Sequence, residues 1–121
     1  MPEPEPEPEL VPRLRALLAA QAQAGATISY REAAARLGLV PPGVIGRLGA
    51  ALEVLMAQDA AQGRPLLAAL CVSRTGSGLP GRGFFDKAAE LGRFAGDPAG
   101  PEARDFHARE VSQLLAAPGR G

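Results

Sequence analysis

Leucines spaced three and four positions apart mark the first helical segment of the chain. The pattern predicts an amphipathic helix over about Pro12 to Ala24, because a proline suits the first turn and Gly25 follows as a stop. The apolar residues that share its one face are Leu10, Leu14, Leu17 and Leu18.

A short strand and a short helix come next. Ile28 and Tyr30 alternate with polar neighbours, as in a strand with one buried side. Ser29 is a suitable N-cap for the following helix, and Glu32 three residues later completes the pattern of a capping box. Gly38 then supplies a left-handed stop.

A proline turn separates this helix from a longer one. Pro41 and Pro42 predict a stiff corner, and the helix continues to about Gln62, where Gly63 closes it. Its apolar stripe consists of Val44, Leu48, Leu52, Leu55 and Met56. A short helix, a glycine stop, a tight turn and a longer amphipathic helix are together the layout of a helix-turn-helix.

The second half of the chain is less regular. Residues 66–72 form a continuous apolar run of strand length, and the glycine-rich stretch 76–83 has the composition of a loop. The phenylalanines at 84–85 fit either a return strand or the start of a helix over 86–94. A last helix is expected to open near Pro101.

This order of elements predicts a fold that is mainly α with a small β-wing, a winged helix-turn-helix in a single domain. The glycine-rich loop would be the tip of the wing. Residues 1–9 are a Pro-Glu repeat that cannot bury apolar surface, so a disordered tail is expected there. The winged-helix domain would cover 10–117, with a frayed C-terminus over 118–121.

Composition limits the class of protein. The 121 residues suffice for one domain, and the apolar 46% is mostly Ala and Leu, which favours helices. No apolar run reaches the roughly 20 residues of a membrane span, and the start of the chain does not resemble a secretory signal. The single cysteine excludes an internal disulfide. We expect a cytoplasmic protein of bacterial type, rich in Arg, without membrane association.

The net charge of zero conceals an uneven distribution. Four of the 13 acidic residues lie in the first nine positions, and all 13 basic residues follow them. The rest of the chain therefore has a net charge of +4, a mild basic bias that permits DNA binding.

Arginines on the helix-turn-helix and the loop are the candidate DNA contacts. Arg47 at the start of the long helix is placed to read guanine or to hold a phosphate, since a guanidinium does both. The candidates for backbone phosphate contacts are Arg31, Arg36, Arg74 and Arg82. Solvated arginines on ordinary packed helices are the alternative interpretation.

Other motifs do not indicate catalysis, a metal or a cofactor. Gly76 to Gly81 matches GxGxxG, but Pro80 and the lack of a following strand exclude a dinucleotide site. Cys71 lies among apolar neighbours and is expected to be a buried structural thiol. The lone His107 is expected at the surface or its boundary, and acidic residues such as Asp59 are expected on caps or solvated faces.

Three segments resemble one known family. Ile28–Gly38 is similar to the first helix of the helix-turn-helix in alkyltransferase-like and O6-alkylguanine-DNA alkyltransferase DNA-binding domains. Val44–Ala50 resembles their recognition helix, which carries an arginine. Residues 65–78 are similar to the strand that leads to their Pro-Cys-His-Arg motif and to the glycine turn after it.

The resemblance implies a winged-helix fold with DNA contacts by Tyr30 and Arg47. It does not imply alkyl transfer, because Val72 and Ser73 stand between Cys71 and the next arginine, and the activating histidine is missing.

The expected function is a small, non-catalytic DNA-binding or DNA-associated winged-helix protein that binds double-stranded DNA through phosphate contacts. The alternative is a protein-protein interaction module on the same fold, with a protein partner or a second copy of the chain. A thiol enzyme that uses Cys71 is a weaker third hypothesis.

Overall fold

The computed structural model describes residues 9–73 and 78–115, and most of these are helical. The elements of the described residues are α1 (Leu10–Ala24), β1 (Ile28–Ser29), α2 (Tyr30–Arg36), α3 (Val44–Ala61), a 3₁₀ turn (Leu67–Leu70), β2 (Cys71–Val72), α4 (Arg82–Glu90) and α5 (Pro101–Leu115). The coarse expectation, mainly α with a small sheet, is confirmed. The tail 1–8, Arg74 and the C-terminal residues 116–121 lie outside the described residues.

Local signals fix the ends of α2 as the sequence predicted. The backbone N–H of Glu32 donates to Ser29 Oγ at 3.0 Å, so the N-cap is confirmed. The carboxylate of Glu32 pairs with Arg36 at 2.8 Å, one turn further along the helix. Gly38 has φ of 73°, the left-handed conformation that ends the helix at low steric cost.

The sheet differs from the expected wing. β1 and β2 pair in parallel, with Ile28 opposite Cys71 and Ser29 opposite Val72. In the described part of the second half, no return strand follows, and the phenylalanines at 84–85 lie inside α4. These residues therefore do not form the predicted strand–turn–strand wing. Of the two alternatives for residues 84–85, the helix is confirmed.

Most of the apolar run 66–72 is a 3₁₀ turn instead of a strand. The N–H of Ala69 donates to Leu66 O at 2.9 Å, which closes the tight turn before β2 begins. A short, fully buried apolar run does not distinguish a strand from a buried helical turn, so the sequence could not decide between them.

The core surrounds this 3₁₀ turn. α1, α3 and α5 all pack against it, and α2 and α4 pack against α3. The aromatic side of the core joins α4, the following loop and α5 through Phe84, Phe85, Phe94 and Phe106, with ring centroids 5.1–6.5 Å apart. The buried aliphatic residues include Leu14, Leu18, Leu48, Leu55, Leu66 and Leu70.

Asp59, expected on a solvated surface, is instead only 1% exposed. Its carboxylate accepts from Arg15 Nη1 at 2.9 Å, from Arg64 Nη2 at 3.0 Å and from the backbone N–H of Leu67 at 3.1 Å. The side chain thus joins α1, the end of α3 and the 3₁₀ turn. A carboxylate becomes buried when donors surround it, and here they come from three segments.

Glu110 and His107 of α5 hold the same segment from the other side. Glu110 Oε1 accepts from the backbone N–H of Leu66 at 2.8 Å and lies 3.6 Å from Arg93 Nη2. His107 Nε2 lies 2.8 Å from Ala69 O, so the ring donates there. The surface or boundary position expected for His107 is wrong, since the side chain is buried and the Ala69 carbonyl accepts from its ring.

The variant Asp59→Asn is expected to lower the free energy of unfolding by about 2–4 kcal/mol, because a charged acceptor of four hydrogen bonds from three residues is lost. Urea unfolding followed by far-UV circular dichroism measures the change. Asp105→Asn, at an exposed position of α5, is the matched control and should change it by less than about 0.5 kcal/mol. Equal effects of the two variants would contradict the anchoring role.

Stability is expected to fall as the pH drops below about 6.5. Burial lowers the pKa of His107 in the folded state, although the bond to Ala69 and the nearby Glu110 partly oppose this shift. Since the unfolded chain then takes up a proton more readily, acidification favours unfolding until the folded pKa is passed.

His107→Gln keeps an N–H donor for Ala69 O and cannot titrate. The difference in unfolding free energy between the original protein and this variant should change between about pH 7.5 and about pH 5. A constant difference over that range would contradict a titrating His107.

Candidate nucleic-acid interface

The corner between α2 and α3 carries two guanidinium groups. Arg13 Nη2 of α1 donates to Leu37 O at 2.8 Å, and Arg47 Nη1 of α3 donates to Val40 O at 2.8 Å and to Pro42 O at 3.2 Å. The carbonyls of the turn thereby orient both side chains. The charge of each guanidinium remains, so the corner is cationic.

Left-handed glycines on both sides of the turn allow this arrangement. Gly38 ends α2 and Gly43, with φ of 72°, precedes α3. A side chain at either position would strain the backbone. The reversal aims the carbonyl of Val40 toward the start of α3, where Arg47 can reach it.

Arg36 at the end of α2 adds a third cation near the corner. Its ion pair with Glu32 joins two side chains that are each about half exposed, at 52% and 53%. Exposed pairs of this kind are weak and exchange easily with water or another anion. The pair therefore leaves Arg36 able to contact a phosphate.

Tyr30 fixes the other end of α2. The backbone N–H of Gly81 donates to its Oη at 2.7 Å, and this bond ties the segment before α4 to the helix-turn-helix. The pKa of the Tyr30 hydroxyl is raised, mainly by burial and to a smaller extent by Cys71, while the hydrogen bond from Gly81 partly opposes this rise. A Cβ added at Gly81 would lie 3.6 Å from the hydroxyl oxygen, so the approach is close.

Two exposed arginines flank this contact in sequence. Arg31 follows Tyr30 and is exposed. Arg82 follows Gly81 and is 77% exposed, with its Nε 3.7 Å from Asp86 Oδ2. Each of these arginines is thus the residue that follows one partner of the hydrogen bond between Tyr30 and Gly81.

The start of α3 presents small and apolar groups to solvent. Ile45 is 58% exposed and Val40 in the turn is 65% exposed. In the part of the chain that the structure describes, a Cβ added at Gly46 or Gly49 would meet no atom within 4 Å apart from its own neighbours along the helix, so another molecule can approach the helix backbone closely.

An apolar groove lies beside this helix start, between α3 and the beginning of α4. Its volume is about 230 Å³, and Glu53 is the charged residue among those that line it. The walls come from Tyr30, Ile45, Gly49, Leu52, Met56, Ala68, Gly81, Gly83 and Phe84.

The predicted contact residues fall into two groups on the two ends of α2. Arg36 and Arg47 lie at the corner, while Tyr30, Arg31 and Arg82 lie at the opposite end. The helix between them is about 10 Å long. Sequence reasoning missed Arg13, because its partner is 24 positions away and leaves no local pattern.

Within residues 9–73 and 78–115, the side chains that could ligate a metal are dispersed and the Cys71 thiol is buried. In that part of the chain no three His, Cys, Asp or Glu side chains cluster as a metal site would require. Cys71 is buried as expected, and burial raises the pKa of its thiol to about 12. A thiol in this state is a poor nucleophile at neutral pH.

Across the described residues, every helix is too short or too polar to span a bilayer. Comparison with protein-family models, with curated proteins and with solved structures returns no significant match. The site has to be understood from its own residues.

Alkylation of Cys71 by iodoacetamide is expected to be slow in the native protein at neutral pH and fast after denaturation, because the thiol is buried and protonated. Mass spectrometry of timed samples measures the modified fraction. Native and denatured samples that react at the same rate would contradict a structural role for Cys71.

Proposed function

We propose that the chain is a non-catalytic DNA-binding module of the helix-turn-helix type, in which the segment before α4 would stand where a winged helix-turn-helix has its wing. The observation that carries the proposal is the cationic corner, where backbone carbonyls hold Arg13 and Arg47 in place and Arg36 lies close by. Ordered guanidinium groups lose less entropy when they engage a phosphate than mobile ones do.

The start of α3 would face a groove of the duplex in this proposal. Its first turns carry Gly46 and Gly49, which place no side chain between the helix backbone and the sugar-phosphate chain. The segment before α4, tied to Tyr30 through Gly81, would take the place of a wing and bring Arg82 to the backbone beside α2.

Phosphate contacts would dominate the binding free energy. The proposed face would comprise five arginines: Arg13, Arg31, Arg36, Arg47 and Arg82. Neutralising about three to five phosphates gives a strong decrease of affinity with salt. The positive charge of Arg47, whose Nη1 donates to the turn carbonyls, would contribute to attracting the phosphate backbone to the corner.

The paired variant Arg31→Ala/Arg36→Ala is expected to weaken binding of a mixed-sequence duplex about tenfold or more at low salt, and to reduce the salt slope by about 2. Both side chains are exposed on α2, so the fold should persist. Fluorescence anisotropy of a labelled duplex at several salt concentrations measures both quantities.

The matched control is Arg104→Ala/Arg109→Ala, which removes two exposed arginines with the same spacing from α5. It should have a clearly smaller effect, because α5 lies outside the proposed face. Absence of duplex binding by the full chain at low salt, or equal effects of the two pairs, would refute the proposal.

A protein-protein interaction module is the second candidate. The exposed Val40 and Ile45, beside an apolar groove that Glu53 lines, favour it, since a carboxylate on that face repels phosphate. The duplex titration separates the two candidates, because a module of this kind leaves the duplex unbound even at low salt.

A further inference from the structure

The groove between α3 and the beginning of α4 is lined by none of the five arginines of the proposed DNA face. Its volume is about 230 Å³, and its described lining is almost entirely apolar. An apolar cavity of about 150 Å³ is already large enough to hold a benzene ring. The groove therefore has room for one ring together with a short chain.

Glycines provide this space. Gly49, Gly81 and Gly83 line the groove, so each contributes backbone where another residue would place a side chain. A Cβ added at Gly49 or Gly83 would meet no atom of the described residues within 4 Å, apart from its own neighbours along the chain. Gly49 lies within α3 without a positive φ, at a position where glycine is a poor helix former. What Gly49 provides is thus open volume and not an unusual backbone conformation.

Glu53 adds one negative charge to the apolar lining. It follows Gly49 by one turn of α3 and is exposed. Within residues 9–73 and 78–115 its carboxylate has neither an ion pair nor a hydrogen bond. The exposed Glu32 and Glu90, by contrast, each pair with a cation one turn away. An apolar groove with a single available carboxylate is complementary to an apolar molecule that carries a positive charge.

We propose that this groove binds a small organic ammonium ion, an alkylamine that carries one aromatic ring or a compact aliphatic group. The apolar part of the ligand packs against Leu52, Met56 and Phe84, and its ammonium group lies beside Glu53. The aromatic side chains of Tyr30 and Phe84 suit a ring, because aromatic rings pack favourably against one another. The proposal goes beyond the DNA-binding function, since the groove can be occupied whether or not the chain binds a duplex.

Charge distinguishes ligands of the same shape in this site. A neutral analogue fills the same volume but lacks the attraction to Glu53, and an anionic one is repelled by it. Because Glu53 is exposed, the attraction is modest and is screened by salt. The preference for the amine is accordingly a few-fold and decreases as the salt concentration rises.

The test is a titration of the full chain, followed by ¹⁵N–¹H NMR, with phenethylamine and with its neutral analogue 2-phenylethanol. Phenethylamine is protonated at neutral pH, as alkylamines are. It is expected to shift the backbone amide signals of the residues that line the groove, and to bind about three- to fivefold more tightly than the alcohol at low salt.

Two variants separate the charge from the volume. Glu53→Gln is expected to remove the preference for the amine, whereas Glu102→Gln, at an exposed position of α5, keeps it. Gly49→Leu places a side chain in the groove and should weaken the binding of both probes about tenfold or more. Gly46→Leu, on the same helix but outside the lining, is the matched control and should leave both affinities nearly unchanged.

Three results would overturn the proposal. One is the absence of shifts at the groove with phenethylamine. Equal affinity of the two probes would make the groove an apolar contact surface for a protein partner. Groove signals that move on dilution of the protein alone would assign it to a second copy of the chain. Each of these results leaves duplex binding to be decided by its own titration.

Discussion

Two buried carboxylates that accept hydrogen bonds from adjacent backbone N–H groups organise this small protein. Asp59 of α3 binds the N–H of Leu67, and Glu110 of α5 binds the N–H of Leu66. Asp59 also pairs with Arg15 and Arg64, and Glu110 lies close to Arg93, so each buried negative charge has a positive partner. Leu66 and Leu67 stand at the start of the 3₁₀ turn at the centre of the core. Because α1, α3 and α5 pack against this turn, their packing depends on the two carboxylates that hold it.

The candidate interface follows from this arrangement. The fixed 3₁₀ turn leads into β2, and β2 pairs with β1 immediately before Tyr30. Tyr30 then holds the segment before α4 through Gly81. At the other end of α2, α1 contributes Arg13 to the turn that starts α3. In the surface that we propose for DNA, Arg13, Tyr30 and Arg47 are thus held by hydrogen bonds to backbone groups.

The sequence correctly predicted the features that depend on residues close to one another along the chain. The cap at Ser29, the stop at Gly38 and the stripe of α3 involve residues within a few positions of one another. The burial of His107 could not be foreseen, because its partner Ala69 lies 38 positions away. Asp59 has two partners nearer in sequence, Arg64 and Leu67, but the third, Arg15, lies 44 positions away on α1 and leaves no local pattern. Of the candidate site, the arginines of the helix-turn-helix could be selected by residue type, whereas the carbonyl partners of Arg47 depend on how the turn folds.

Backbone groups of Leu66, Leu67 and Ala69 are bound by Glu110, Asp59 and His107, respectively. These closely spaced hydrogen bonds also restrict how related chains can differ in length. An inserted or deleted residue within this stretch would move one amide past its carboxylate and leave a buried anion without its donor. Such changes in length are tolerated far better in the exposed loop between α4 and α5, around Ala95 and Gly96, which lies outside the segment that joins Asp59 to Leu67. The number of residues from Leu66 to Val72 is therefore fixed by this architecture, whereas the surface residues of the protein can vary.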